Sequence, residues 1–209
     1  MRWWPGLAGV GAPDHVALTF DDGPDAASTP RFLELLAARG VRATFFLLGS
    51  MTERHAGLAA EIAAAGHEVA VHGFAHRNLM RRSPAATRAD LQRAVDVIGA
   101  ATGSAPVHYR PPYGLLTAAA LDAARGLALR PVLWTAWGED WSATATPESV
   151  LRTVRRDLTG GGTVLLHDSD CTSAPLSWRS ALGALPDLLD GCARAGWRVG
   201  PLSEHGRAA

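Results

Sequence analysis

The chain has 209 residues, 47% of them hydrophobic and 19% charged, which excludes a disordered chain, because such chains are charge-rich and poor in apolar residues. The 20 basic residues, all arginine, balance 20 acidic ones, so there is no electrostatic footprint for nucleic acid or an anionic membrane. No apolar run reaches the roughly 20 residues that span a bilayer, and two cysteines, Cys171 and Cys192, are too few for a disulfide framework and lack metal-site spacing.

The opening Met1-Arg2-Trp3-Trp4-Pro5 runs into Gly- and Ala-rich sequence, unlike a secretory signal. The expected location is cytoplasmic if Met1 is the native start, and extracellular or cell-wall if a signal peptide was removed. The first apolar, β-rich run is His15 to Phe20. A helix is expected from Pro30 to Arg39, a strand from Arg42 to Leu48, a helix from Glu53 to Ala65 and a strand from Glu68 to Val71. There follow a long helix from Pro84 to Ala101, a short strand from Val107 to Tyr109, a helix from Thr117 to Arg125 and a strand from Pro131 to Trp134. The remaining elements are a helix from Pro147 to Leu158, a strand from Thr163 to Leu166, a helix from Trp178 to Ala195 with Pro186 as a break point, and a strand from Trp197 to Val199.

Thr29, Ser83 and Thr146 each precede a proline, so each hydroxyl can cap a helix whose first position loses no hydrogen bond. Gly40, Gly66 and Gly126 stand where a left-handed C-cap is wanted. Unalternating runs such as Val164-Leu165-Leu166 fit strands covered by helices on both faces. The rhythm predicts an α/β fold of about seven β/α units, either a (β/α) barrel or an open doubly wound sheet. A lead-in of residues 1–13 would precede a single domain of residues 14–209.

Active sites of parallel α/β folds gather at the carboxyl ends of the strands. Acid, base and metal-ligand types recur there: Asp21-Asp22, His72, Arg110, the stretch Gly138-Glu139-Asp140-Trp141, and His167-Asp168. Adjacent carboxylates at Asp21 and Asp22 repel unless a cation or proton intervenes, although a bare Asp-Asp-Gly more often just caps a loop. His72 and His76, placed on a helical turn, would face one ion, and a nearby Asp would complete a three-ligand site with room for water. Zinc suits such ligands, and cobalt, manganese, iron or nickel are alternatives. Arg110 precedes Pro111-Pro112, which would hold the Tyr113 N–H in a fixed direction for an oxyanion; a surface arginine beside a rigid turn is the plainer reading. His167 ends a buried run, where it is either a core histidine or a general acid partnered by Asp140, with Trp141 as an apolar wall.

His15, His55, His67, His108 and His205 lack such company and read as structural or exposed. Trp3, Trp4, Trp134, Trp137, Trp178 and Trp197 more often fill a core, although Trp137 and Trp178 flank site loops where a sugar face could stack. Thr159-Gly160-Gly161-Gly162 precedes a strand and has no following lysine, unlike a phosphate loop.

Taken together, these motifs resemble those of the polysaccharide deacetylase family (carbohydrate esterase family 4, the NodB-homology domain) from about Asp14 to Leu202, with five motifs in the family's order. The resemblance implies a distorted (β/α) barrel of about seven parallel strands with surrounding helices. It implies a metal site of Asp22, His72 and His76, with Asp21 as the base that activates the attacking water and Arg110 holding that base. The Tyr113 N–H matches the oxyanion donor, Asp140 the residue tuning the acid His167, and Trp141 and Leu165 the walls around the acetyl group. This chain has Gly73 where the family usually has Ser or Thr, and Trp137 where it usually has a second aspartate.

The function implied is metal-dependent removal of N-linked acetyl groups from a carbohydrate containing N-acetylglucosamine. The alternatives are an O-acetyl sugar esterase on the same site, or a non-catalytic carbohydrate-binding relative. The expected partner is a carbohydrate, with no nucleic acid and no transmembrane segment. The lack of a binding module and of an export signal favours a small, soluble substrate.

Overall fold

In the computed structural model, which describes residues 5–206, a short helix α1 (Pro5–Ala8) precedes the central strand β1 (His15–Asp21). Helix α2 (Thr29–Ala38) leads to β2 (Thr44–Leu47), and α3 (Gly49–Arg54) and α4 (Ala56–Ala64) lead to β3 (Glu68–Val71). Helix α5 (Pro84–Thr102) precedes β4 (His108–Tyr109), and α6 (Ala118–Gly126) precedes β5 (Arg130–Pro131) and β6 (Ala136–Trp137). Then come α7 (Pro147–Asp157), β7 (Thr163–His167), α8 (Trp178–Arg194) and β8 (Arg198–Gly200). Trp3 and Trp4 lie outside the described residues.

The strands form one sheet in the order β5-β4-β3-β2-β1-β7-β6, with β8 on the first residues of β1. Every pairing is parallel. The expected single strand Pro131–Trp134 is instead a crossing segment. Arg130 and Pro131 pair with β4, and Ala136 and Trp137, just beyond the expected strand, pair with β7. Between them, the Leu133 N–H donates to Leu7 of α1 and the Thr135 N–H to Thr163. The two edges of the sheet are thus joined by the chain itself, and β5 and β6 counted as one segment make the eight strands seven. The fold is a distorted (β/α) barrel, not an open sheet.

Alternation along β1 and β2 sorts the side chains. Val16, Leu18, Phe20, Phe45 and Leu47 point outward into the layer of helices, where the Phe20 ring lies 5.2 Å from Phe32 and 5.1 Å from Phe45. The inward set is Ala17, Thr19, Asp21, Thr44 and Phe46, and Ala17 and Phe46 pack there with Ala70 and Val132. Apart from Phe46, the inward side chains of β1 and β2 are small or polar, and the buried Arg110 occupies the space they leave, against the Phe46 ring.

Ser83 and Thr146 cap their helices as expected, the latter in a reciprocal capping box. Thr29 does not: Ser28 takes the cap position, and the Thr29 hydroxyl turns inward to donate to Asp168. Gly40 and Gly66 are left-handed, but Gly126 ends α6 in helical conformation and Ala128 takes the positive φ instead. The expected helix from Glu53 starts earlier, at Gly49, and breaks at His55, whose φ of −133° is not helical. Pro186 does not break α8. The apolar face carrying Leu185, Leu188 and Leu189 is buried on both sides of it, and that packing outweighs the roughly 3 kcal/mol an internal proline costs.

The Gly160–Gly162 stretch serves close packing. A Cβ at Gly160 would fall 2.0 Å from the Pro13 carbonyl oxygen, and the Gly11 N–H donates to Gly161. Cys171 and Cys192 are free thiols. Among the described residues no helix is long and apolar enough to cross a membrane.

Candidate active site

The carboxyl ends of β1, β3, β4 and β7 open into one cavity of about 310 Å³. Asp21, His72, His76, Tyr113, Trp141, Leu165 and His167 line it. Asp22, Arg110 and Asp140 lie buried beneath. The ten residues to which the family resemblance assigns roles therefore converge.

Asp22 follows β1 with φ of 79°, a left-handed conformation that costs an ordinary side chain energy. Its Oδ1 lies 3.5 Å from His72 Nε2 and 3.7 Å from His76 Nε2, is fully buried, and has no hydrogen-bond partner. His72 Nδ1 is 2.8 Å from the Arg110 carbonyl oxygen, so that nitrogen carries the proton and Nε2 presents a lone pair. Burial, opposed by the charge on Asp22, pushes the His72 pKa down to about 3, and the neutral ring is the ligating form. A bare carboxylate oxygen between imidazole nitrogens is poorly placed without a cation. The three ligand atoms lie within 4.8 Å of one another, and one carboxylate with two imidazoles is a fitting donor set for zinc and related divalent ions.

The histidine pair does not sit on a helical turn. Residues 72–76 form a loop in which Gly73 takes φ of +96°. The Asp90 carboxylate of α5 accepts the Phe74 N–H at 2.9 Å, and Gly49 and Ser50 of α3 donate to the Gly73 and Phe74 carbonyls. A side chain from a distant helix steadies the loop here, without a hydroxyl at position 73.

Arg110 is completely buried. Its Nη1 donates to Asp21 Oδ1 at 2.7 Å and to Thr19 Oγ1 at 2.8 Å, its Nη2 donates to the Leu133 carbonyl at 2.9 Å, and its guanidinium lies 4.0 Å from the Phe46 ring centre. Asp21 Oδ2 lies 3.7 Å from His72 Nε2. Burial raises the Asp21 pKa above the usual carboxylate value, although the adjacent Arg110 pulls the other way.

On the opposite side, Asp140 Oδ1 lies 3.0 Å from His167 Nδ1. Burial acts to lower the His167 pKa, but the charge and hydrogen bond of Asp140, aided by Asp22 and Asp21, raise it to about 10. The Tyr113 residue has φ of 59° and its ring packs edge-on to His76 at 4.3 Å. Its N–H takes part in no backbone hydrogen bond found among the described residues.

Trp134 and Trp137 stack 5.9 Å apart and continue to Trp141 at 5.0 Å, making an aromatic wall on the cavity. Trp134 therefore lines the site instead of the core expected for it. Trp178 fills the core, as expected of most of the tryptophans, at 6% exposure under the Arg31 and Arg179 guanidiniums, and does not take the alternative place beside a sugar face. Thr172 and Ser173 also line the cavity. They lie in a loop with no periodicity, and nothing in the sequence singles them out. At the other end of the barrel, His15 pairs with His205 and His108 with Glu68, so these histidines have partners that sequence spacing did not show.

The family model for polysaccharide deacetylases matches residues 8–132. The chain belongs to the polysaccharide deacetylase family. A chitooligosaccharide deacetylase of Bradyrhizobium sp. (strain ANU 289) is 34% identical over 203 residues, covering 93% of this chain and 92% of the relative. The structure of a peptidoglycan N-acetylglucosamine deacetylase in complex with a benzamide ligand superposes with a TM-score of 0.89 at 27% identity, over 98% of this chain and 94% of that one. A family pseudoenzyme from Bacillus anthracis superposes with a TM-score of 0.85 at 28% identity, over 95% of this chain and 69% of that one. Within this polysaccharide deacetylase barrel, Trp137, at one of the two positions where the motifs depart from the expected pattern, extends the aromatic wall.

Proposed function

We propose that this protein is a metal-dependent hydrolase that removes N-acetyl groups from a carbohydrate containing N-acetylglucosamine, either a glycan or a small glycoside. The observation that carries the reading is the unpartnered Asp22 Oδ1 between His72 Nε2 and His76 Nε2, in a cavity that also holds Asp21 and His167. Asp22, His72 and His76 would hold a divalent ion, zinc first among the candidates. Such an ion supplies Lewis acidity toward an acyl oxygen and lowers the pKa of water.

The chain's own groups do the rest. Asp21 takes a proton from water as it attacks the acetyl carbon. Burial makes this carboxylate a stronger base than a solvated one, and Arg110 keeps it in place. The Tyr113 N–H, on a backbone stiffened by Pro111 and Pro112, donates to the developing oxyanion. His167 delivers a proton to the departing nitrogen, which matters because an amine anion is a very poor leaving group. With a pKa of about 10, its ring is protonated at neutral pH. Leu165 and Trp141 enclose the acetyl methyl, and the tryptophan wall offers apolar surface to a sugar face. A family pseudoenzyme shows that the barrel alone does not carry activity. Retention of a base, an acid and three ligand residues favours catalysis over mere carbohydrate binding.

The test is acetate release from chitooligosaccharides, peptidoglycan fragments and simple N-acetylglucosamine glycosides. The expected result is release that a chelator abolishes and an added divalent metal restores. No acetate from any of them with zinc, cobalt, manganese, iron or nickel supplied would overturn the proposal.

A further inference from the structure

The loop that follows β7 reaches back over Asp22. Thr172 Oγ1 donates to Asp22 Oδ2 at 2.5 Å, and Cys171 Sγ lies 3.5 Å from the Asp22 carbonyl oxygen. The loop is itself pinned: the Cys171 N–H donates to Ser169 Oγ, the Ser173 N–H to the Asp170 carbonyl, and the Ala174 N–H to the Trp141 carbonyl. A carboxylate turns about its last side-chain bond, and its two oxygens are chemically equivalent until a neighbour distinguishes them. Here Oδ2 is occupied by the Thr172 hydroxyl, and Oδ1 is left bare toward the two imidazoles.

We propose that Thr172 is a positioning residue for the metal: by holding Asp22 Oδ2 it presents Oδ1 alone to the ion and so sets the affinity of the site. This rests on the metal-dependent reading above. The backbone of Asp22 strengthens the case. At φ of 79° it is left-handed, a conformation that fixes the direction in which the carboxylate leaves the chain. The outer partners of metal-ligating groups typically contribute 10- to 100-fold to metal affinity. Thr172 is exposed on a loop, so its shape can be kept while its hydroxyl is removed without threatening the core.

The experiment uses the full chain, freed of metal, with zinc titrated in competition with a chromogenic chelator. Thr172→Val is expected to bind zinc about 10- to 100-fold more weakly than the unaltered protein, whereas Thr172→Ser, which keeps the hydroxyl, binds as the unaltered protein does. Equal affinity in Thr172→Val overturns the inference and leaves the metal reading standing. Equal weakening in both variants overturns it too, because the hydroxyl is then not the cause. Failure of the unaltered protein to compete for zinc removes the metal reading, and this inference falls with it.

Discussion

Asp140 holds His167 at two points: Oδ2 accepts the His167 backbone N–H at 2.7 Å, and Oδ1 lies 3.0 Å from Nδ1. The carboxylate that orients the ring is thus anchored to the same residue's own backbone. The two residues come from different strand ends, and Asp140 is almost wholly buried, so neither group can drift without breaking both bonds. The proton on Nδ1 is committed to Asp140, and Nε2 is the nitrogen left for a substrate.

Asn at position 140 keeps this shape and removes the charge. Burial then acts on His167 with less opposition, and its pKa falls from about 10. The folded value lies above the ordinary histidine value of 6.5, so the pair's contribution to stability is full below about pH 6.5 and is lost as pH rises through the folded pKa. The active form is likewise the protonated one. In Asp140→Asn the alkaline limb of the kcat/KM profile is expected to move to lower pH, read from pH–rate curves. An unmoved limb would mean that His167 is not the acid.

His167→Ala separates amide from ester chemistry. An alkoxide leaves more readily than an amine anion, so loss of the acid costs an N-acetyl substrate more. General acid catalysis is typically worth about 10²- to 10⁴-fold. The loss for a chitooligosaccharide is expected in that range, and the loss for an O-acetylated sugar is expected to be smaller. Rates on both substrates with the same metal-loaded variant check this.

Arg110→Met would leave Asp21 buried without its ion-pair partner, and would also free Thr19 and the Leu133 carbonyl. Removing one member of a buried pair costs about 3–5 kcal/mol. Urea denaturation should show a loss of that size, partly recovered in Arg110→Met/Asp21→Asn, where no carboxylate charge remains to be buried. Additive losses in the double variant would contradict the pairing.

Asp90→Ala tests the anchor of the histidine loop. The Phe74 N–H loses its acceptor, at a cost of about 1–3 kcal/mol if it stays buried. His76 then loses its fixed place, so zinc affinity is expected to fall together with thermal stability. Asp90→Asn retains an acceptor oxygen and is expected to keep both. Calorimetry with and without zinc distinguishes the two variants.

Much of the fold was legible because it rests on neighbours in sequence. β3 spans Glu68–Val71 as its apolar run implied, and the Ser83 and Thr146 caps lie within three residues of the N–H groups they satisfy. The candidate ligands, acid and base were legible for a related reason. Strand order along the chain puts Asp21, His72, Arg110 and His167 at the same end of successive parallel strands, whatever the details of packing. What remained hidden depends on contacts between distant segments. Only the curled sheet of the distorted barrel decides that residues 130–137 pair with β4 at one end and β7 at the other, because a lone segment has no record of which edges it will meet. The Asp90 anchor, the tryptophan wall and the Thr172 bond to Asp22, 150 residues away in the chain, are of the same kind. Local periodicity fixes which way a side chain faces; what stands opposite it is settled by how the helices pack and where the loops return.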